Sequence, residues 1–181
     1  MPDTPRLKIV FTGRQIGERV SAIASEINRV YKDQPLVAIC VLKGAFMFFG
    51  DLVRALDRPD LEVDFVRLAS YGKSAVSSGH VRFNKDIEID IRNKNVLVIE
   101  DIVDSGRSMR FLLDQLSVRA PASLSLAALV DKKERRIEEV RVDFGGFVVP
   151  SGFLVGYGLD YAEKYRSLPD ICELEFTDKS L

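Results

Sequence analysis

The 181-residue sequence has no tryptophan, one histidine, two cysteines and no run of 18 apolar residues. Each scarcity excludes something. His80, Cys40 and Cys172 are too few and too scattered for a zinc cluster, and a disulfide framework is not expected either. Without a long apolar run there is no candidate membrane-crossing helix. The opening Met1-Pro2-Asp3-Thr4-Pro5-Arg6 lacks the basic-then-apolar order of an export signal, so the expected address is cytoplasmic. An excess of one charge is missing as well: 26 Lys and Arg stand against 27 Asp and Glu, a net charge of −1. That balance argues against a protein that grips nucleic acid through a bulk positive field. What is present, 46% apolar and 29% charged residues, suits one domain over 1–181 with a radius of gyration of about 16 Å. Function must then sit in local sites.

Leu7 to Phe11 reads as a strand, and Thr12-Gly13-Arg14-Gln15 as a capping box that opens a helix. Ile16, Val20, Ile23, Ala24, Ile27 and Tyr31 make its inward stripe, up to Pro35. Residues 36–42 are apolar without alternation, as in a strand covered on both faces, and Cys40 within them reads as a buried free thiol. Lys43-Gly44 interrupts, and residues 45–56 form the next helix, with Met47, Phe48, Leu52, Val53 and Leu56 inward. Residues 61–68 are a strand with partial alternation at Val63, Phe65 and Leu68. The Gly- and Ser-rich stretch 70–79 reads as a mobile lid, and 81–91 as a hairpin arm. Val96 to Ile99 is a buried strand, after which Ser105 caps a helix with Met109, Leu112, Leu113 and Leu116 inward. Leu124 to Val130 is another buried strand. Short strands at 147–149 and 153–157 flank the turn Pro150-Ser151-Gly152. The alternation predicts an α/β single domain, a mostly parallel twisted sheet flanked by helices, with its core at about 8–150.

Chemistry is densest in Ile99-Glu100-Asp101-Ile102-Val103-Asp104-Ser105-Gly106-Arg107-Ser108. Open parallel sheets bind ligands beyond the carboxyl ends of their strands, and a helix starting there offers unpaired amides to an anion. Residues 104–108 are therefore a candidate phosphate cradle. Glu100 and Asp101 could hold sugar hydroxyls, a divalent cation, or both. The bland alternative is an acidic turn before a Ser-capped helix. Neither the Gly-x-x-x-x-Gly-Lys-Ser/Thr loop nor a dinucleotide fingerprint is present.

At these residues the chain resembles the type I phosphoribosyltransferases, marked by an apolar strand, two acids, two apolar residues, Asp, Ser or Thr, Gly and a further hydroxyl. Val41-Leu42-Lys43-Gly44, Ser70-Tyr71, Leu129-Val130-Asp131-Lys132, and Phe153 to Tyr161 with Arg166 narrow the resemblance to the hypoxanthine-guanine branch. The resemblance runs over about 8–175 and implies a small hood built from the N-terminal segment and from about 150–175. It implies a transfer of the 5-phosphoribosyl group from phosphoribosyl diphosphate to N9 of hypoxanthine or guanine in purine salvage.

On the same footing, Lys43, Gly44, Ser70, Tyr71 and Arg166 would face the diphosphate, with a non-prolyl cis peptide at Lys43-Gly44. Glu100 and Asp101 would hold the ribose and Mg²⁺, which Asp160 would also face. Asp104, Ser105, Gly106, Arg107 and Ser108 would bind the 5′-phosphate, with Asp104 also the acid-base group near N7 of the purine. Lys132 would donate to O6, Phe153 would stack on the base, and Leu154 and Asp160 would meet its edge and its 2-position side. The cofactor is then Mg²⁺, the partners are the 6-oxopurine and phosphoribosyl diphosphate with no nucleic acid or membrane, and the assembly is a homodimer or homotetramer. Without the resemblance Lys132 opens an ordinary charge run, Lys132-Lys133-Glu134-Arg135-Arg136, in which Lys133, Arg135 and Arg136 read as solvated. Tyr157 and Tyr161 read as packing residues. Two rivals remain at this point: a nucleotide-sensing regulatory module on the same fold that binds RNA or a protein, and a metal-dependent hydrolase using the acids at 100, 101 and 104.

Overall fold

Thr12 opens the first helix as its spacing requires: Gln15 N donates to Thr12 Oγ1 at 3.4 Å, and the Gln15 side chain accepts from Thr12 N at 2.9 Å. In the computed structural model, which describes residues 5–70 and 81–175, β1 (Arg6–Phe11) leads into this helix, α1 (Gly13–Tyr31). All six residues of the expected stripe are buried. There follow β2 (Leu36–Leu42), α2 (Phe46–Leu56), β3 (Glu62–Ser70) and β4 (Val81–Lys85). The rest comprises β5 (Asn95–Val103), α3 (Arg107–Ser117), β6 (Ser123–Lys132), β7 (Phe144–Val149), β8 (Leu154–Val155) and β9 (Ile171–Glu175).

Six strands form one sheet in the order β4-β3-β2-β5-β6-β7, parallel except for the edge strand β4. The helices α1 and α2 cover one face of this sheet, and α3 together with residues 87–91 covers the other. From β2 the chain moves outward to β3, and from β5 it moves the opposite way to β6 and β7. The point where the order reverses is the gap between the carboxyl ends of β2 and β5, where an open parallel sheet leaves a crevice. A second, antiparallel sheet of β1, β9 and β8 makes the hood. Its strand β9 gave no signal in the polar tail; Cys172 and Leu174 lie buried there against Val155.

Three expectations need correction. In β3 the alternation picks the wrong face: Val63 and Phe65 are 41% and 36% exposed, while Val66 is buried and Asp64 is only 5% exposed. The covered face is closed by the chain returning after β4, and that segment brings unpaired amides. Asp64 accepts from Phe65 N at 2.7 Å, Glu88 N at 2.6 Å and Ile89 N at 2.9 Å, so a carboxylate is what the interior needs at this point. The hairpin arm is likewise shorter than 81–91, because beyond Lys85 the chain leaves the sheet and presses Ile87, Ile89 and Ile91 onto the core. Ser105 does not cap α3. The N-cap is Gly106, at φ 82 and without a side-chain cap, and Ser105 instead offers its carbonyl to Ile137 N and Glu138 N. Cys40 is a buried free thiol as expected, and burial beside Glu100 and Asp101 pushes it up to about 12, which keeps it protonated and inert.

Candidate active site

The strand β5 does not stop at Ile99; it stays paired with β6 as far as Val103 opposite Asp131. Glu100 and Asp101 therefore lie inside the sheet at the switch point, both buried. Each carboxylate turns back on the backbone: Asp101 N donates to Glu100 Oε1 at 3.0 Å and Ile102 N to Asp101 Oδ1 at 2.8 Å. Burial raises Glu100 well above the usual carboxylate range, and the neighbouring Asp101 charge adds to it. Burial raises Asp101 too, against hydrogen bonds from Glu100 and the backbone and the field of Arg166. Together the two bind a proton more readily than exposed acids, since too little positive charge faces them.

Gly44 belongs to this packing. A Cβ there would fall 1.6 Å from Asp101 Oδ2, so the carboxylate reaches the β2–α2 turn only because the residue is glycine. The cis peptide of this turn is Leu42-Lys43, one bond before the expected Lys43-Gly44. Lys43 Nζ lies 3.0 Å and 3.1 Å from the two carboxylate oxygens of Glu163. Arg166 meets the same carboxylate at 3.1 Å, Asp160 at 2.8 Å and the Gly158 carbonyl at 2.7 Å. Glu163 thus bridges the two cations expected to face diphosphate, and their hydrogen bonds hold its carboxyl below the usual range. Asp160 has both oxygens engaged, the second by Glu163 N at 2.9 Å.

Two adjoining cavities occupy the crevice. The larger, about 200 Å³, is lined by Asp101, Asp104, Lys132, Phe153, Leu154 and Asp160, among others. The smaller, about 140 Å³, is lined by Glu100, Asp104, Ser105, Gly106 and Ser108 with Ile102, Val103 and Met109. Asp104 and Ile102 belong to both. Every base-side residue expected from the sequence thus meets in one cavity, and the cradle residues apart from Arg107 meet in the other. Lys132 is buried at the end of β6 with Glu134 3.3 Å away. Phe153 is 43% exposed at the mouth, with Tyr161 edge-on at 5.5 Å. Tyr161 therefore sits beside the cavity rather than in the core, whereas Tyr157 is buried and donates to Asp51 at 2.7 Å. Tyr71 and most of the expected lid lie outside the described residues, and Ser70 is described only as the last residue of β3.

The phosphoribosyl transferase domain family matches residues 7–162. Hypoxanthine phosphoribosyltransferase from Buchnera aphidicola subsp. Schizaphis graminum is 41% identical over 172 residues, 94% of this chain and 97% of that protein. Hypoxanthine-guanine phosphoribosyltransferase from Aquifex aeolicus is 43% identical over 171 residues, 94% of this chain and 96% of that one. Among solved structures, a Staphylococcus aureus hypoxanthine phosphoribosyltransferase superposes with a TM-score of 0.88 at 36% identity, covering 93% of this chain and 91% of the other. A Bacillus anthracis hypoxanthine-guanine phosphoribosyltransferase gives 0.87 at 40% identity, covering 93% and 99%. The chain belongs to the type I phosphoribosyltransferases, in their hypoxanthine-guanine branch.

Within this phosphoribosyltransferase the charge run after β6 holds two of the three residues that sequence reasoning missed. Arg135 is not simply solvated: its Nη2 lies 2.7 Å from Asp104 Oδ2, and it lines the larger cavity. The other oxygen of Asp104, Oδ1, is buried and has no partner. Arg136 is almost wholly buried and bonds the Val103, Asp104 and Lys132 carbonyls and the Asp131 carboxylate. Nothing in the local pattern separates Arg136 from Lys133, which does reach solvent beside Asp131. The third missed residue, Glu163, had one signal: it lies three residues before Arg166, the spacing of an ion pair on one turn.

Proposed function

We propose that this phosphoribosyltransferase moves the 5-phosphoribosyl group from phosphoribosyl diphosphate to N9 of hypoxanthine or guanine and releases diphosphate. The observation that carries the reading is the meeting of Asp104, Lys132, Phe153, Leu154 and Asp160 in one cavity that shares Asp104 with the cradle. At about 200 Å³ that cavity suits a single bicyclic base better than a drug-sized ligand, for which roughly 300–1,000 Å³ is usual. Lys132 offers donors and no acceptor, so a 6-oxo group is welcome and a 6-amino group is not. The half-exposed Phe153 ring covers one face of the base. The free oxygen of Asp104 accepts the N7 proton or holds it as N9 bonds to C1′.

On the sugar side, Glu100 and Asp101 accept from the ribose hydroxyls and face the positive charge that builds on the ring as the C1′–O bond lengthens. The chain offers no cluster of three or more metal-ligating side chains among the described residues. A buried and under-neutralised acid pair nevertheless fits Mg²⁺, which characteristically takes one or two carboxylates and completes its shell with substrate oxygens and water. Glu100 and Asp101 would hold it, Asp160 being engaged by Arg166 and Glu163 N, and when bound it supplies charge neutralisation to the diphosphate. Lys43, the Gly44 backbone and Arg166 receive the diphosphate. The uncovered apolar side chains Phe46, Val63 and Phe65 support the proposed self-association, as a homodimer or homotetramer.

The rival regulatory module draws its support from a basic face or from separation of Lys132 and Phe153, and these two residues share one cavity. The deciding assay supplies phosphoribosyl diphosphate and Mg²⁺ with hypoxanthine, guanine, xanthine or adenine in turn and measures nucleotide and diphosphate. Nucleotide from hypoxanthine or guanine and none from adenine is expected. Folded protein that makes no nucleotide from any base, or makes it only from adenine, overturns the reading.

A further inference from the structure

Three successive carbonyls on the way into the cradle are all bonded by one short segment behind it. Arg136 Nε donates to the Asp104 carbonyl at 2.9 Å and Nη2 to the Val103 carbonyl at 3.0 Å. The amides of Ile137 and Glu138 donate to the Ser105 carbonyl at 2.9 Å and 3.0 Å. None of Arg136, Ile137 and Glu138 lines the cradle cavity, whereas Val103 to Gly106 do. A trans peptide is planar, with its N–H opposite its C=O. Tethering the carbonyls of Val103, Asp104 and Ser105 to this segment therefore turns the amides of Asp104, Ser105 and Gly106 the other way. The same Nη2 also lies 3.2 Å from the Lys132 carbonyl and bonds the Asp131 carboxylate, so one guanidinium ties the cradle to the strand end that carries Lys132. The side chain is 8% exposed and touches neither cavity.

We infer that Arg136 is a positioning residue: it holds the carbonyls of Val103 and Asp104 back so that the cradle amides face an anion before any ligand arrives. A planar fork with several fixed donors serves several acceptors at once; a lysine keeps the charge but not the fork. Without the fork the Val103 and Asp104 carbonyls lose these bonds, and the peptides are freer to rotate their oxygens toward the anion. The inference rests on the reading of residues 104–108 as the 5′-phosphate site.

The test compares two ligands that differ only in that phosphate, a purine nucleoside 5′-monophosphate and its parent nucleoside, binding to wild type, Arg136→Lys and Arg136→Ala, with thermal midpoints recorded. The expected result is a loss of about tenfold or more in monophosphate affinity, with nucleoside affinity changed less than twofold. The KM for phosphoribosyl diphosphate should rise by a similar factor while kcat falls little. Added guanidinium should return part of the monophosphate affinity to the Ala variant. Equal losses for both ligands would reduce Arg136 to general stability and overturn the inference, as would no loss for either. Should the Ala variant fail to fold, the Lys variant, which keeps stem and charge, carries the comparison alone. If wild type itself binds the two ligands equally, the phosphate-site reading falls, and the inference with it.

Discussion

The two anion-facing sides of the crevice are built differently. Around residues 103–105 the backbone carbonyls are held from behind, by the Arg136 side chain and by the amides of Ile137 and Glu138. Around Lys43 and Arg166 the cations are held by the exposed carboxylate of Glu163 and by Asp160. One side is fixed before a ligand arrives, and the other is occupied by groups that a ligand can displace. In the proposed reaction the 5′-phosphate stays on the product while diphosphate leaves. A preorganised backbone suits the group that must not move during transfer, and exchangeable ion pairs suit the group that must be let go. The contrast teaches that what is held, backbone on one side and charged side chains on the other, separates the two sides.

The largest break in this comparison should come from Gly106→Ala. A Cβ there would lie 2.1 Å from the Glu138 carbonyl oxygen, which belongs to backbone and cannot swing aside, and the φ of 82 is strained for alanine as well. The clamp must open or the loop must shift. Affinity for a nucleoside 5′-monophosphate is expected to fall roughly 100-fold, about 2.7 kcal/mol, while inorganic diphosphate, measured by calorimetry, binds nearly as before. An equal fall for both ligands would mean that the two sides are not independent.

A smaller effect, on stability alone, should follow from Asp64→Asn. Asp64 does for amides what Arg136 does for carbonyls: a buried charged side chain gathers backbone groups that the sheet leaves unpaired. Burial by itself would raise the Asp64 carboxyl, but the amides of Ile89, Phe65 and Glu88, with the Lys85 ammonium, hold it below the usual range. A depressed folded value means stability that is complete above the unfolded value of about 3.9 and is lost as pH falls through the folded value. Asn keeps one acceptor and turns an NH₂ toward an amide, a cost on the order of 2 kcal/mol near neutral pH. Denaturant titrations across that acid window should slope for wild type and flatten for the variant, with kcat at neutral pH little changed. A variant as acid-sensitive as wild type would remove Asp64 from the account.

The elements and the site were legible in the sequence to different depths. The stripe of α1, the unbroken apolar runs of β2, β5 and β6, and the acids of β5 announce themselves because periodicity and composition report burial directly. Base-side residues such as Lys132 and Phe153 became readable through family resemblance, since a lysine after a strand and an aromatic after a turn have ordinary explanations too. The face of β3 was misread because its covering layer is the return after β4, whose free amides ask for a carboxylate at position 64. Arg136 and Glu163 stayed hidden for a related reason. Their partners are the carbonyls of Val103 and Asp104, 32 to 33 residues away, and Lys43, 120 residues away. Only tertiary structure brings such pairs together, and β9, five residues in an otherwise polar tail, depended in the same way on β1 and β8.

The smallest predicted effect tests the exchangeable side. Glu163 satisfies Lys43 and Arg166 at once, so an incoming diphosphate group has to displace a carboxylate that already serves as its stand-in. Glu163→Gln keeps the length of the side chain and removes the charge. The freed cations should lower the KM for phosphoribosyl diphosphate by about threefold, the modest scale of exposed ion pairs, and should tighten product inhibition by diphosphate by a similar factor. Added salt should narrow the difference, because screening weakens the wild-type bridge first. Release of diphosphate would slow, so kcat should fall wherever that release limits turnover. A variant with a raised KM would mean that Glu163 orients the two cations for the ligand rather than competing with it, and the exchangeable side would then be preorganised as well, by a surface carboxylate instead of a buried fork.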